Sequence, residues 1–131
     1  MFKIIPKVTY ALLIILCFKN VANAEQTLEN TQTFQKINID GTNRELGMGL
    51  SIFPPNSFKA RHEALGPEIV YVLQGDITVK IDGKPKKTVH AGESYKLAAK
   101  DIHVTRAGPK GAKTIASWVN IPGKNFNIYT K

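Results

Sequence analysis

From residue 34 onward, apolar and polar residues alternate in short runs broken by turn residues. The run "ITVKI" (77–81) shows the pattern best. Ile77, Val79 and Ile81 fall on one face and Thr78 and Lys80 on the other, the period of two that a half-buried strand imposes. Similar runs extend from "FQKINI" (34–39) to "FNIYT" (126–130), about nine short strands in all. Pro54-Pro55-Asn56 ends one run, because proline has no N–H to give a ladder. Asp82-Gly83 marks a hairpin whose central residues take positive φ. Gly75-Asp76 separates 68–74 from 77–81, and Gly108-Pro109 separates 102–107 from 113–121. No run has a helical period, so the pattern predicts an all-β domain, sandwich or barrel. The strand "EIVYVL" adds a detail. Ile69, Tyr71 and Leu73 share one face and Val70 and Val72 the other, so both faces need a cover. One face lines the barrel. The other is covered by residues 34–53 or by a second subunit, and the reading favoured is a homodimer.

The first 24 residues follow a different rule. Lys3 and Lys7, the apolar stretch "VTYALLIILCF" and the small-x-small Ala22-Asn23-Ala24 predict a secretory signal peptide cleaved before Glu25. The apolar run is about half the ~20 residues that span a bilayer, and Lys19 interrupts it. Leu16 before Cys17 argues against a lipoprotein signal. The expected organisation is therefore a signal at 1–24, a flexible leader at 25–33 and one domain at 34–131, in a periplasmic or secreted protein. The mature chain keeps no cysteine, which excludes a disulfide, a thiolate nucleophile and a thiolate metal ligand. Its charge drops from +8 to +5 once Lys3, Lys7 and Lys19 are gone. The one dense basic cluster, "KPKK" (84–87), sits at a hairpin tip and lacks the aromatic interleaving of a nucleic-acid surface. Neither a nucleic-acid partner nor stable membrane insertion is expected after cleavage.

Residues 56–108 resemble a cupin, the small antiparallel jelly-roll barrel whose two motifs carry metal ligands. His62, Glu68 and Gly75 stand at the spacing of the first motif. Ala64 replaces that motif's second histidine and Asn56 its opening glycine. Gly92 and His103 keep the spacing of the second motif, where Ala98, Lys100 and Ala107 replace proline, glycine and asparagine. Loss of that proline and glycine predicts a looser approach to His103. The resemblance implies a jelly-roll fold, a divalent metal (Fe, Mn, Ni or Zn) and small-molecule chemistry such as ring-cleaving oxygenation, decarboxylation or isomerisation.

The residues themselves allow the same site. Without cysteine, a transition metal needs imidazole and carboxylate donors, and two histidines with one carboxylate form the set associated with non-haem iron. His62 and Glu68 flank the turn Leu65-Gly66-Pro67, while His103 joins only through barrel closure. The candidate metal ligands are thus His62, Glu68 and His103, with Glu63 and Tyr95 as spare candidates for a general base. Each also has a plain reading: His62 as a lining group bonded to Glu68, His103 as a strand-end residue, Trp118 as core. Arg61 is read as surface charge, and His90 receives no role. The two functions that follow are a metal-dependent enzyme of the oxygenase or isomerase type, and a binding module without turnover holding a sugar or an aromatic ligand.

Overall fold

The computed structural model describes residues 31–131, so the expected signal and residues 25–30 of the expected leader lie outside the described residues. Within them there is no helix. Eight strands follow one another: β1 (Gln32–Ile39), β2 (Arg44–Phe53), β3 (Phe58–Ala64), β4 (Glu68–Ile81), β5 (Lys87–His90), β6 (Ser94–Leu97), β7 (His103–Asn120) and β8 (Asn127–Tyr129). All pairings are antiparallel. Two long strands replace four predicted short ones. Gly75-Asp76 and Gly108-Pro109 are bends inside β4 and β7, not ends, because the ladder between these strands resumes beyond them.

β7 is the common member of both walls of the barrel. Its C-terminal half pairs with β2 and with the start of β4; its N-terminal half pairs with β3 and with the end of β4. The far edge of β4 carries β6 and then β5. With β1 on β2 and β8 on β3, the sheet curls into a jelly-roll barrel.

The corner has an identifiable cause. Gln74 and Gly75 face Lys113 and Ala112, but Ile77 faces Ala107, so residues 108–111 bulge out of the ladder. Gly75 takes φ +71° and a Cβ there would stand 2.0 Å from the Gly111 carbonyl oxygen. Such a backbone suits glycine and tightens the bend.

Inward side chains of the strands form the core. Phe53, Val72, Ile77, Val79, Val89 and Leu97 pack at one end. At the other, Val70, Ala116 and Trp118 pack against Phe126 and Tyr95. Trp118 is core, as expected, and Gly47 makes room for it, since a Cβ at 47 would lie 2.5 Å from the indole.

Among the described residues nothing covers the outward face of β4. Ile69 is 63 % exposed, Tyr71 46 % and Leu73 41 %. Residues 34–53 do not cover it, because β1 and β2 join the sheet edge to edge. They extend the apolar face instead. Ile37 lies beside Leu46, Met48 is in line with Ile69 across β7, and Leu50 with Tyr71 across Ile115.

Candidate functional site

β3 sets the inward-pointing groups, and it does so with a bulge. Lys59 pairs with Thr105 and His62 with His103, so β3 has one more residue than β7 over the same interval. Simple alternation would send Lys59 and His62 to opposite faces. The extra residue turns both inward, with Ala64 behind them, and all three are buried. Arg61 faces out, bonded to Asp82 and Thr130.

His62 and His103 meet across the ladder with ring centroids 4.2 Å apart. Tyr129 of β8 stands on the other side of His62, at 5.5 Å. Each imidazole is tethered by its own strand. His62 Nδ1 donates to the Ala60 carbonyl at 2.6 Å, and His103 Nδ1 to the Asp101 carbonyl at 2.7 Å. A carbonyl only accepts, so both rings carry the Nδ1 proton when neutral. Burial pushes the His62 imidazole down to about 4, with the His103 and Lys59 charges adding and the Ala60 carbonyl opposing. Burial also lowers His103. His62 Nε2 is buried and without a partner among the described residues.

The turn before His103 is well tied rather than loose. Ala98 N–H donates to the Asp101 carboxylate, Asp101 N–H to the Ala98 carbonyl, and Lys100 N–H to the Ala64 carbonyl.

Glu68 opens β4 between Leu97 and Trp118. It lines a small interior cavity together with Lys59, His103 and Tyr95. Burial pushes its carboxyl up, and Lys59 opposes this. Burial equally pushes the Lys59 ammonium down, with Glu68 opposing. Tyr95 is held protonated by burial and by the Glu68 charge. Glu63, the other spare candidate for a base, is half-buried on β3. His90, given no role, is exposed on the outer hairpin, where its Nδ1 meets Asp76 at 2.8 Å.

A divalent metal finds only part of its ligand set here. The structure brings His62 and His103 together, each oriented by a backbone carbonyl as metal-binding imidazoles are. Among the described residues no three His, Cys, Asp or Glu side chains form a group that could hold an ion. In the side-chain positions described, Glu68 does not stand in one group with the two imidazoles. A methyl stands where the family motif has a further imidazole, and the cationic side chain in the cavity is Lys59.

Above the cavity lies a wider pocket of about 530 Å³ at the end of the barrel. Lys59, Glu68 and Trp118 reach it from the barrel wall, Lys36 and Thr33 from β1, and Asn127 and Tyr129 from β8. The Lys36 ammonium is 3.0 Å from Glu45 at its edge. Asn120 donates to the Lys124 carbonyl and closes the loop that forms the remaining rim. Sequence reasoning missed Lys59 and this rim. Lys59 is concealed by the bulge, and β8 appeared only as a closing strand.

No protein-family model matches the chain, and no curated protein matches it. Solved structures do. The DMSP lyase DddQ of Ruegeria pomeroyi superposes with a TM-score of 0.60 at 18 % identity, over 65 % of this chain and 43 % of that one. A recombinant oxalate oxidase in complex with glycolate gives 0.56 at 20 %, over 64 % and 45 %. An RmlC-like cupin of Shewanella frigidimarina gives 0.54 at 19 %, over 68 % and 86 %. The chain thus spans less than half the length of the lyase and oxidase chains it resembles. Among the described residues no helix is long and apolar enough to cross a membrane. The motif spacing, the curled antiparallel sheet and these structural neighbours converge on one architecture: the chain has the cupin fold.

Proposed function

We propose that the protein is a cupin-fold small-molecule-binding protein, with its ligand in the pocket at the barrel's end and no turnover required. The observation that carries this reading is the pocket itself, whose ~530 Å³ falls in the range of small-molecule sites and whose floor is made of buried polar groups. The neighbours support it, since they include proteins named for acting on DMSP and oxalate. Amide NMR of the full mature chain, titrated with small sugars, hydroxy acids and aromatics, tests it. Shifts confined to Lys36, Lys59, Asn127 and Tyr129 are expected. No shift with any compound at millimolar concentration removes the reading.

A second reading has one observation in its favour. The carbonyl-tethered imidazoles of His62 and His103 are pre-oriented for a divalent ion (Fe, Mn, Ni or Zn), with Glu68 as third ligand after a side-chain movement. An oxygenase- or isomerase-type enzyme would follow from it. Elemental analysis after dialysis separates the readings. Stoichiometric metal that disappears in His62→Ala and Glu68→Ala supports the enzyme; no metal under any loading supports the binding protein.

We also infer that the chain is exported and dimeric. Export predicts a periplasmic or secreted form whose first residue is Glu25, read by mass spectrometry. The dimer is a second copy packed on the outward apolar face. That face spans four strands, roughly 20 Å across at about 4.8 Å per strand, and seven large apolar residues on it are exposed. Contiguous apolar residues of this kind, unlike singly scattered ones, mark interaction surfaces. Two such faces pack as sheet on sheet, with Lys96 and Lys113 flanking the apolar residues. Sedimentation at micromolar concentration is expected to give a dimer, and Met48→Lys with Ile69→Lys a monomer with its melting temperature little changed. A monomeric wild type ends this reading.

A further inference from the structure

Lys59 brings a positive charge into the barrel that no contact neutralises. Its side chain is 8 % exposed. Among the described residues its ammonium has no hydrogen bond and no ion pair within 4.0 Å, and Glu68 acts on it only through space. The stem is buried while Nζ keeps access to the pocket, so the charge is presented to whatever enters, and a cation in so enclosed a place gains from an anionic partner. The residue lines both the interior cavity and the pocket above it, so its charged end lies where the two spaces join. Around that opening stand the polar groups Thr31, Thr33, Lys36, Lys124 and Asn125 and the aromatic rings of Trp118 and Phe126. Glu68 lines both spaces with Lys59, and burial pushes its carboxyl up toward its neutral form. An anion that entered would find one deep cation and a largely polar surround.

We propose that Lys59 is the anchor for a carboxylate, and that the pocket takes a hydroxylated carboxylic acid of about monosaccharide size, such as a uronic or aldonic acid. The ligand's carboxylate sits on Lys59 Nζ and its hydroxyls face the threonine, asparagine and lysine groups of the rim. Lys59 thus supplies within this barrel the positive charge that a metal ion would otherwise supply, and the carboxylate completes a pair the protein leaves open. The size of the pocket admits a single sugar ring and leaves little room for a polymer. The inference rests on the reading of this pocket as a binding site and adds to it the charge and class of the ligand.

The test is calorimetric titration of the EDTA-treated full chain with glucuronate and gluconate, alongside glucose and sorbitol as neutral counterparts. The acids are expected to bind at least tenfold more tightly than the neutral compounds. Lys59→Met should remove that preference, Lys59→Arg should retain most of it, and Lys110→Met, on the exposed bulge of β7, should change nothing. Removing a buried charge is expected to leave Lys59→Met folded, and its melting curve is the check. Should that variant not fold, the comparison between acids and neutral sugars, together with Lys59→Arg, still decides. Equal binding of acids and neutral sugars, or full acid binding by a folded Lys59→Met, overturns the anchor and leaves the pocket as a site. No binding by any of the four compounds overturns the anchor; if the wider set of small molecules also produces no shifts, the pocket reading falls with it.

Discussion

Gly75→Ala is expected to lower the melting temperature of the domain by roughly 10 °C or more. Two costs combine. The residue sits at φ +71°, in the left-handed region where a side chain costs about 1–2 kcal/mol. The new Cβ would also stand 2.0 Å from the Gly111 carbonyl oxygen and about 3 Å from the backbone atoms next to it. These neighbours are backbone at a tight corner, so relief requires β4 and β7 to separate where the barrel bends. A total near 3 kcal/mol is at the top of the usual range for single substitutions, and each kcal/mol moves a domain of this size by about 4–8 °C. Gly83→Ala supplies the comparison. Gly83 has nearly the same φ, +73°, but nothing lies within 4 Å of its added methyl. It should show the conformational cost alone, about 1 kcal/mol. Thermal unfolding followed by circular dichroism measures both. If Gly75→Ala melts within 3 °C of Gly83→Ala, the close approach at the corner does not govern stability.

This corner also marks the limit of what the sequence discloses. Gly75-Asp76 and Gly108-Pro109 carry the composition of strand ends, and local chemistry cannot tell an end from a bend. Only the resumption of pairing at Ile77 and Ala107 tells them apart. Alternation worked wherever a strand was regular: Ile77 and Val79 are buried, and the two faces of "EIVYVL" divide as the period requires. It failed at Lys59, where one inserted residue in β3 reverses the parity, so the most unusual charge in the barrel lay on the wrong face of the pattern. Motif spacing located His62 and His103 because it records the fold rather than the strand, and the ladder does set them opposite one another. Asn56 and Lys100 show the same persistence. They occupy the positions where the family motifs have glycine, and both keep a positive φ, 59° and 66°. The backbone requirement has outlasted the residue that meets it most cheaply. Spacing could not establish whether Glu68 joins the histidines, because that depends on a side-chain rotamer and on Lys59 in the same cavity.

Acidification is the second large effect, and the histidine pair determines its sign. Free imidazole titrates near 6.5, whereas burial, the His103 ring and the Lys59 charge hold His62 at about 4 in the folded chain. Above pH 6.5 both states leave His62 neutral and it contributes its full share. Between pH 6.5 and 4 the unfolded chain takes up a proton that the folded chain refuses, so stability falls as pH falls, by at most about 1.4 kcal/mol per unit from this residue. The total from His62 is on the order of 2–3 kcal/mol, and His103, lowered by burial as well, acts in the same direction. Two groups act the other way. Glu68 has its carboxyl raised by burial, so its contribution is complete below its unfolded value of 4.5 and is lost as pH rises through the folded one. His90, raised by its hydrogen bond to Asp76, favours the folded state at low pH, but it is fully exposed and its effect is screened. Urea denaturation at pH 7.5 and pH 5 should therefore show a loss of at least ~1 kcal/mol in acid. His62→Phe keeps a ring in the site and removes the titrating nitrogen. It should flatten that dependence by more than half, whereas His90→Ala should leave it unchanged or slightly steeper. A wild-type chain equally stable at both pH values, or a slope that survives His62→Phe, would place these imidazoles in water rather than inside the barrel.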